Sequence, residues 1–427
     1  LGLDKSIKTA FDGYTTLEES AKILAIVNEG EVSGAAAKGE KITVVLDRTP
    51  FYAEMGGQVA DHGYITNGDA KLKVTQVKKT PKGYFVHTCE LLDGTIHVGD
   101  EVTASVDTQR RMAICRNHTA THLLQKALRE VLGEHVHQAG SYQDDKLTHF
   151  DFTHFSAVTP EELRKVEDRV NEKIFEALPV TIQNLPIEEA KKMGAMALFG
   201  EKYGDRVRMV RFGDSVELCG GTHTCATGTI GFFKIVSESA VSAGVRRIEA
   251  VTGEGAEKVL YAAEDTLQNV AEFLNNTQVV QAIKKIVESN DALSKEVEAM
   301  RQEQVREWAD RLVKSLPEQN GVILMAKQSE RMPAFIKDLA YNLRARVHNL
   351  VMVVGTCQEG KPSLTIMLGD DVVAKGVNAG KVIREAAREM NGGGGGQPFF
   401  ATAGGKNPDK LQAAIDKAVE LIMDELK

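Results

Sequence analysis

Two short stretches about a hundred residues apart constrain this chain more than any other feature. "RNHTATHLLQKAL" carries His118 and His122, and "DSVELCGGTHTCATGTIG" carries Cys219 and His223 around a Gly-Gly-Thr turn. On a helix, residues four apart differ by only about 40° around the axis, so both imidazoles of the first stretch point the same way. A cysteine and a histidine separated by a tight turn are what a zinc ion takes from a loop. One tetrahedral site of three nitrogens and one sulfur needs both halves, so the chain has to fold back on itself. A soft thiolate beside imidazoles selects zinc over magnesium or calcium.

Other donors lie close in sequence. Cys115 shares the helix face of His118, Cys225 follows His223, and His135 and His137 sit a short way on. A helical trio with Cys115 would crowd three bonds onto one face, so the set His118, His122, Cys219 and His223 is retained. Thr119 occupies the position after the first histidine, where a zinc peptidase of the HExxH type carries its general base, and this disfavours a peptidase. Four protein ligands would close the site, whereas catalytic zinc usually keeps one position open.

At 427 residues, with 42% hydrophobic and 26% charged side chains, two or three globular domains are expected. No segment approaches the twenty consecutive apolar residues of a membrane span. The opening "LGLDKSIKTAFDGYTT" has no initiating methionine, basic leader or apolar run, and reads as a cut inside a longer protein. A formal charge of −8 argues against indiscriminate nucleic-acid binding over the whole surface, though not against a local basic patch. Five scattered cysteines make no disulfide framework, which favours a reducing cytoplasm.

The expected fold class is multidomain α+β. Residues 1–105 hold short β-branched runs such as "KITVVLDRTPFYAE" and "GDEVTASVD" between Gly, Asp and Pro turns, the pattern of a small β-barrel. Within them, the Gly56-Gly57 pair of "RTPFYAEMGGQVADHG" reads first as a tight turn or bulge. Residues 106–256 read as an α+β zinc-containing domain. Its first helix is closed by Gly133, and a second opens with Thr159 as N-cap, Pro160, and Glu162 completing a capping box. Residues 257–316 form a helical linker in which Ile283, Ile286, Asn290, Leu293, Val297 and Met300 step as a heptad seam. An antiparallel hairpin within the chain and a dimerising coiled coil both satisfy that seam. Residues 317–427 alternate apolar strands with helices, an α/β domain with a partly parallel sheet. There "MNGGGGGQPFFATAGG" interrupts regular structure as a Gly-rich loop.

In their order and separation, "RTPFYAEMGGQ", "NHTATHLL" and "ELCGGTHTCATGTIG" resemble the editing half of bacterial alanyl-tRNA synthetases, and "NGGGGGQPFFATAGG" resembles the end of their C-terminal domain. The likeness runs over essentially the whole chain. It implies hydrolysis of the ester in Ser-tRNA(Ala) and Gly-tRNA(Ala), with zinc on His118, His122, Cys219 and His223. A glutamine that the family associates with editing falls on Gln138 in "HVHQAGS". The resemblance also implies that the last domain binds tRNA(Ala), and sometimes dimerises. Lys381, Arg384, Arg388 and Lys406 flank the Gly-rich loop around Gly394 as counter-charges for RNA; DNA is not an expected partner.

The physics suits such a task. A pocket sized for alanine rejects serine poorly, by about a hundredfold, so a second hydrolytic site is needed. A site that hydrogen-bonds serine's hydroxyl refuses alanine, because its polar groups would be left unpaired; glycine stands outside this argument. The backbone N–H groups of Gly220 and Gly221 are expected as oxyanion donors, and Gln138 or Thr121 as the group that orients water or the serine hydroxyl. No class II synthetase motif with its ATP site is found in the sequence, so the chain as it stands is not expected to charge tRNA.

Overall fold

The computed structural model describes residues 7–195 and 204–427; the first six residues of the opening read above lie outside them. The chain divides into two compact units, Leu1–Asn269 and Val270–Lys427, with the boundary inside the helix Glu254–Phe273.

The first unit begins with a closed barrel of six antiparallel strands. Around it run Glu18–Asn28, Lys41–Leu46, Phe85–Asp93, Ala70–Lys79, Gly63–Asn67 and Glu101–Val106. The last pairs back onto the first, with Glu101 opposite Lys22, so the six leave no free edge in the ring. Alternation fills the interior: Ala70, Leu72 and Val74 of one strand point inward. A bulge between Val74 and Gln76 then shifts the phase, so Val77 takes the next inward position.

The barrel leads into α1 (Thr108–Leu132), 25 residues long. Asp107 caps its N-terminus by accepting from the Arg110 N–H, and Gly133 follows its end at φ 120°. Leu123, Leu124, Ala127 and Leu128 pack with Phe150, Phe152, Phe233 and Ile248 of a four-stranded antiparallel sheet. That sheet runs Gln138–Gln143, Thr148–Thr153, Val245–Thr252, Phe233–Ser242. α2 (Pro160–Phe175) joins the same core and carries the expected capping box, Thr159 and Glu162 each accepting from the other's backbone N–H. A smaller sheet, Val180–Pro186, Arg206–Phe212 and Ser215–Leu218, brings the Cys219 turn up to α1.

The first helix wholly inside the second unit is Val279–Ser315, whose last turns bury Val305 and Ala309 against Phe335 and Leu339 of the helix Pro333–Arg344. Its seam residues Ile283, Ile286, Leu293, Val297 and Met300 are all exposed. The sheet beyond has six strands, of which only Val322–Ser329 and Leu350–Gln358 are parallel. A helix connects that pair, as a parallel crossover requires, while the remaining pairs are antiparallel.

The glycine run departs from the loop expected of it. Gly393–Gly396 is the edge strand of this sheet, paired with Phe400–Gly404. Close approach explains the residue type: a Cβ on Gly394 would lie 2.3 Å from the Thr402 carbonyl oxygen, and one on Gly396 would lie 2.3 Å from that of Phe400. Among the described residues, no helix is long and apolar enough to cross a membrane.

Candidate metal centre

α1 carries polar side chains on a face that is almost wholly buried, so each must find a partner. His118 and His122 are 5% and 8% exposed, with ring centroids 5.2 Å apart. Against them the turn after Ser215–Leu218 sets His223, 4.6 Å from His118 and 5.1 Å from His122 by centroid. Potential ligand atoms of His118, His122, Cys219 and His223 all lie within 4.8 Å of one another. Nε2 of His118 lies 3.4 Å from Cys219 Sγ, and Nε2 of His223 lies 3.3 Å from it. The Nε2 of His122 is buried with no hydrogen-bond partner.

The outward nitrogens are all tied down. His118 Nδ1 contacts Gln58 Oε1 at 2.8 Å, His122 Nδ1 is paired with the Glu217 carboxylate, and His223 Nδ1 lies 3.2 Å from Thr119 Oγ1. Carboxylate and amide oxygens only accept, so His118 and His122 donate from Nδ1 and turn Nε2 to the interior, where a metal would take the place of any proton. Anchoring one ring nitrogen to orient the other is how metal-binding histidines are usually held. The donor chemistry and the orphaned Nε2 both fit a zinc ion.

The electrostatics agree. Burial raises the Cys219 thiol, yet the His118, His223 and His122 rings overcome it and hold the group well below the ordinary thiol range. Burial takes His223 down to about 3, leaving a neutral imidazole. Burial also opposes charge on His122, but Glu217 and Cys219 outweigh it and push that group up to about 10. The cluster thus attracts positive charge at its centre.

Gln58 explains the glycine pair that the sequence left as a turn. It is fully buried, and its Oε1 also accepts the Thr222 N–H at 2.9 Å while its Nε2 donates to Thr222 Oγ1 at 2.8 Å. Gly57, at φ 86°, lies so near the strand Gln138–Gln143 that a Cβ would come 2.6 Å from the Ser141 carbonyl oxygen. Asp61, further along the same loop, forms a buried ion pair with Arg111, whose Nη1 also donates to the Gly13 carbonyl at 2.7 Å. The loop therefore clasps α1 twice, at Arg111 and at His118.

The other expected site residues divide. Gln138 is half-buried at a bulge, donating from Nε2 to Ser141 Oγ at 3.2 Å beside the glycine pair. The Gly221 N–H faces Cys219 Sγ at 3.4 Å, and a Cβ there would lie 2.0 Å from His118 Cε1. Gly221 thus admits the imidazole, and its N–H is engaged by sulfur. Gly220 accepts from the Tyr14 hydroxyl on its carbonyl, and its N–H has no acceptor among the described residues. Thr121 turns away from the cluster, donating to the Asn117 carbonyl at 2.8 Å and contacting Thr148 Oγ1 at 2.7 Å.

Cys115 donates to Thr222 Oγ1 at 3.2 Å, Cys225 is exposed, and His135 pairs with His154. Gln58 and Glu217 were not foreseen, and Thr119 was weighed only as the place of a missing general base, because nothing in local spacing marks a contact made with another element. In the second unit Lys381, Arg384, Arg388 and Lys406 are exposed without ion pairs among the described residues, and Arg384 Nε lies 3.8 Å from where a Cβ on Gly395 would be.

Three family models match. That for tRNA synthetases class II (A) covers residues 3–110, a span that holds the six barrel strands and in which no class II motif is legible. That for the threonyl and alanyl tRNA synthetase second additional domain covers residues 207–249, including Cys219 and His223. The DHHA1 domain covers residues 320–424. The alanine–tRNA ligase of Acetivibrio thermocellus is 49% identical over 99% of this chain and 49% of its own length. That of Bacteroides fragilis is 50% identical over 88% of this chain and 43% of its own length. A solved C-Ala domain of the alanyl-tRNA synthetase from Aquifex aeolicus is 33% identical, covering 24% of this chain and 87% of its own, at a TM-score of 0.21. The chain spans about half the length of the relatives it matches. Matched along nearly its whole extent by these relatives, the chain belongs to the alanyl-tRNA synthetase family and corresponds to its C-terminal half.

Proposed function

We propose that this chain is the editing portion of an alanine–tRNA ligase, hydrolysing the ester of Ser-tRNA(Ala) and Gly-tRNA(Ala) in the cytoplasm. The observation that carries the reading is the convergence of ligand atoms from three imidazoles and one thiol whose pKa is held low, within 4.8 Å, with Cys219 and His223 supplied from the region matched by the second additional domain. His118, His122, Cys219 and His223 would hold the zinc. When bound, zinc supplies a Lewis-acidic centre that positions the terminal adenosine or the amino group of the substrate.

The protein's own groups do the rest. The Gly220 N–H, without an acceptor among the described residues, is the oxyanion donor as the ester carbonyl is attacked. Gln138 orients the attacking water or the serine hydroxyl from the wall shared with Ser141. Thr121 is left out of this scheme, its hydroxyl being engaged behind α1. Residues 317–427 bind tRNA(Ala) through the glycine strand and its exposed cations, and the apolar seam of the helix Val279–Ser315 is a candidate dimer contact.

One observation favours a second reading. All four metal positions are filled by protein, which suits a purely structural zinc in a tRNA-binding segment that hydrolyses nothing. Deacylation of purified Ser-tRNA(Ala), run beside metal analysis of the same preparation, separates the two. Zinc present with turnover above the uncatalysed rate supports editing; zinc present without turnover leaves the structural reading.

A further inference from the structure

α1 has a second functional face. Arg116 precedes His118 by two residues and so projects roughly 160° away from it. There Arg110 and Arg116 line a cleft of about 570 Å³, with Asp145 and Lys146 from the turn before Thr148–Thr153 and Glu254 and Lys258 from the helix Glu254–Phe273.

The charges in this cleft do not balance. Arg110 pairs with Asp145 at 3.0 Å and donates to the Ala60 carbonyl at 2.7 Å, and the Asp107 carboxylate caps α1. Arg116, Lys146 and Lys258 are left without ion pairs among the described residues, against two carboxylates without one, Asp107 and Glu254, so that four cations face three carboxylates on the lining. Arg116 is half-buried, its stem running past Gly253, where a Cβ would come 3.3 Å from Nε. A cation held partly out of water needs a compensating anion. No aromatic side chain lines the cleft, so it offers nothing on which a base could stack.

We propose that this cleft binds a backbone phosphate of RNA, Arg116 meeting it through its planar fork while Lys146 and Lys258 act as point charges at the rim. The inference rests on the reading that the chain handles tRNA. A chain of formal charge −8 can hold a polyanion only where cations gather locally, and this cleft gathers three unpaired ones on the side of α1 away from the metal cluster. The contact follows the backbone and is indifferent to sequence.

The test is filter binding of tRNA(Ala) transcript to the full chain across a salt series. It compares the parent with Arg116→Gln/Lys146→Gln/Lys258→Gln and with a barrel control of equal charge loss, Lys41→Gln/Lys73→Gln/Lys78→Gln. The cleft triple is expected to weaken binding roughly tenfold or more and to reduce the slope of log affinity against log salt by about two, with the control close to parent. Unchanged affinity and slope in the cleft triple, or an equal loss in the control, overturns the proposal while leaving the editing reading intact. A parent chain that retains no tRNA at low salt overturns both. Calorimetry with inorganic phosphate provides the last arm: phosphate binding abolished by the triple while tRNA affinity holds would make this a free-anion site, against the proposal.

Discussion

Gln58 Oε1 lies 2.8 Å from His118 Nδ1, a contact that joins the barrel to α1 across 60 residues of sequence. The amide orientation is fixed by its second partner, since the Thr222 backbone N–H at 2.9 Å can only donate and must face the oxygen. Gln58 therefore sets which nitrogen of His118 carries the proton.

Gln58→Ala is accordingly expected to weaken zinc binding by about 10- to 100-fold, the usual cost of losing the partner behind a metal-binding histidine. Competition against a chromophoric chelator measures it. Zinc affinity equal to that of the parent would mean that the contact plays no part in orienting the ring.

Removal of a ligand acts on the fold as well. His118→Ala should lose the metal and destabilise the first unit, because structural zinc contributes on the order of 10 kcal/mol of apparent folding free energy. Metal analysis and thermal unfolding report on the two effects, and a chelator added to the parent should reproduce the second. Zinc stoichiometry unchanged in the variant would remove His118 from the ligand set.

Gln138→Ala separates chemistry from metal binding. The side chain bonds to Ser141, and its amide is not among the clustered ligand atoms. The expected result is full zinc content with deacylation of Ser-tRNA(Ala) reduced at least about tenfold, in line with loss of a positioning group. Undiminished hydrolysis would take Gln138 out of the mechanism.

The Arg111–Asp61 pair is buried, 3% and 1% exposed. Arg111→Met leaves a carboxylate stranded in the interior and should cost about 3–5 kcal/mol. Replacing both members, with Asp61→Leu added, should recover part of that loss. Denaturant titration of the single and double variants checks the order; a double variant no better than the single would show that the pair is not coupled.

His87 makes the barrel acid-sensitive. Its ring is fully buried between Thr49 Oγ1 at 2.8 Å and the Val44 carbonyl at 3.0 Å, and burial takes its pKa down from 6.5 to about 4. Between those values the unfolded chain binds a proton that the native ring refuses. Stability should therefore be full above about 6.5 and fall as pH drops towards 4, by up to roughly 3 kcal/mol. Urea unfolding from neutral pH downward should show this decline, and His87→Gln should flatten it; an identical decline in the variant assigns the effect to other groups.

Local rules carried much of this fold. The capping box at Thr159 and Glu162, the stop at Gly133 and the alternating strands of the barrel follow from hydrogen bonds and side-chain directions within a few residues, so the sequence alone shows them. The pairing of His118 with His122 is of the same kind, a consequence of helical pitch. Tertiary structure decided what reaches those residues. Gln58 and Glu217 arrive at the cluster, His223 is brought to Thr119 of α1, and Thr121 is turned away, because separate elements pack against different sides of α1. The glycine run shows the same division. Glycine weakens a strand by its own propensity, yet Gly393–Gly396 forms one because the neighbouring backbone comes too near for any Cβ at Gly394 or Gly396. Propensity acts along the chain, whereas close approach is a property of the packed molecule.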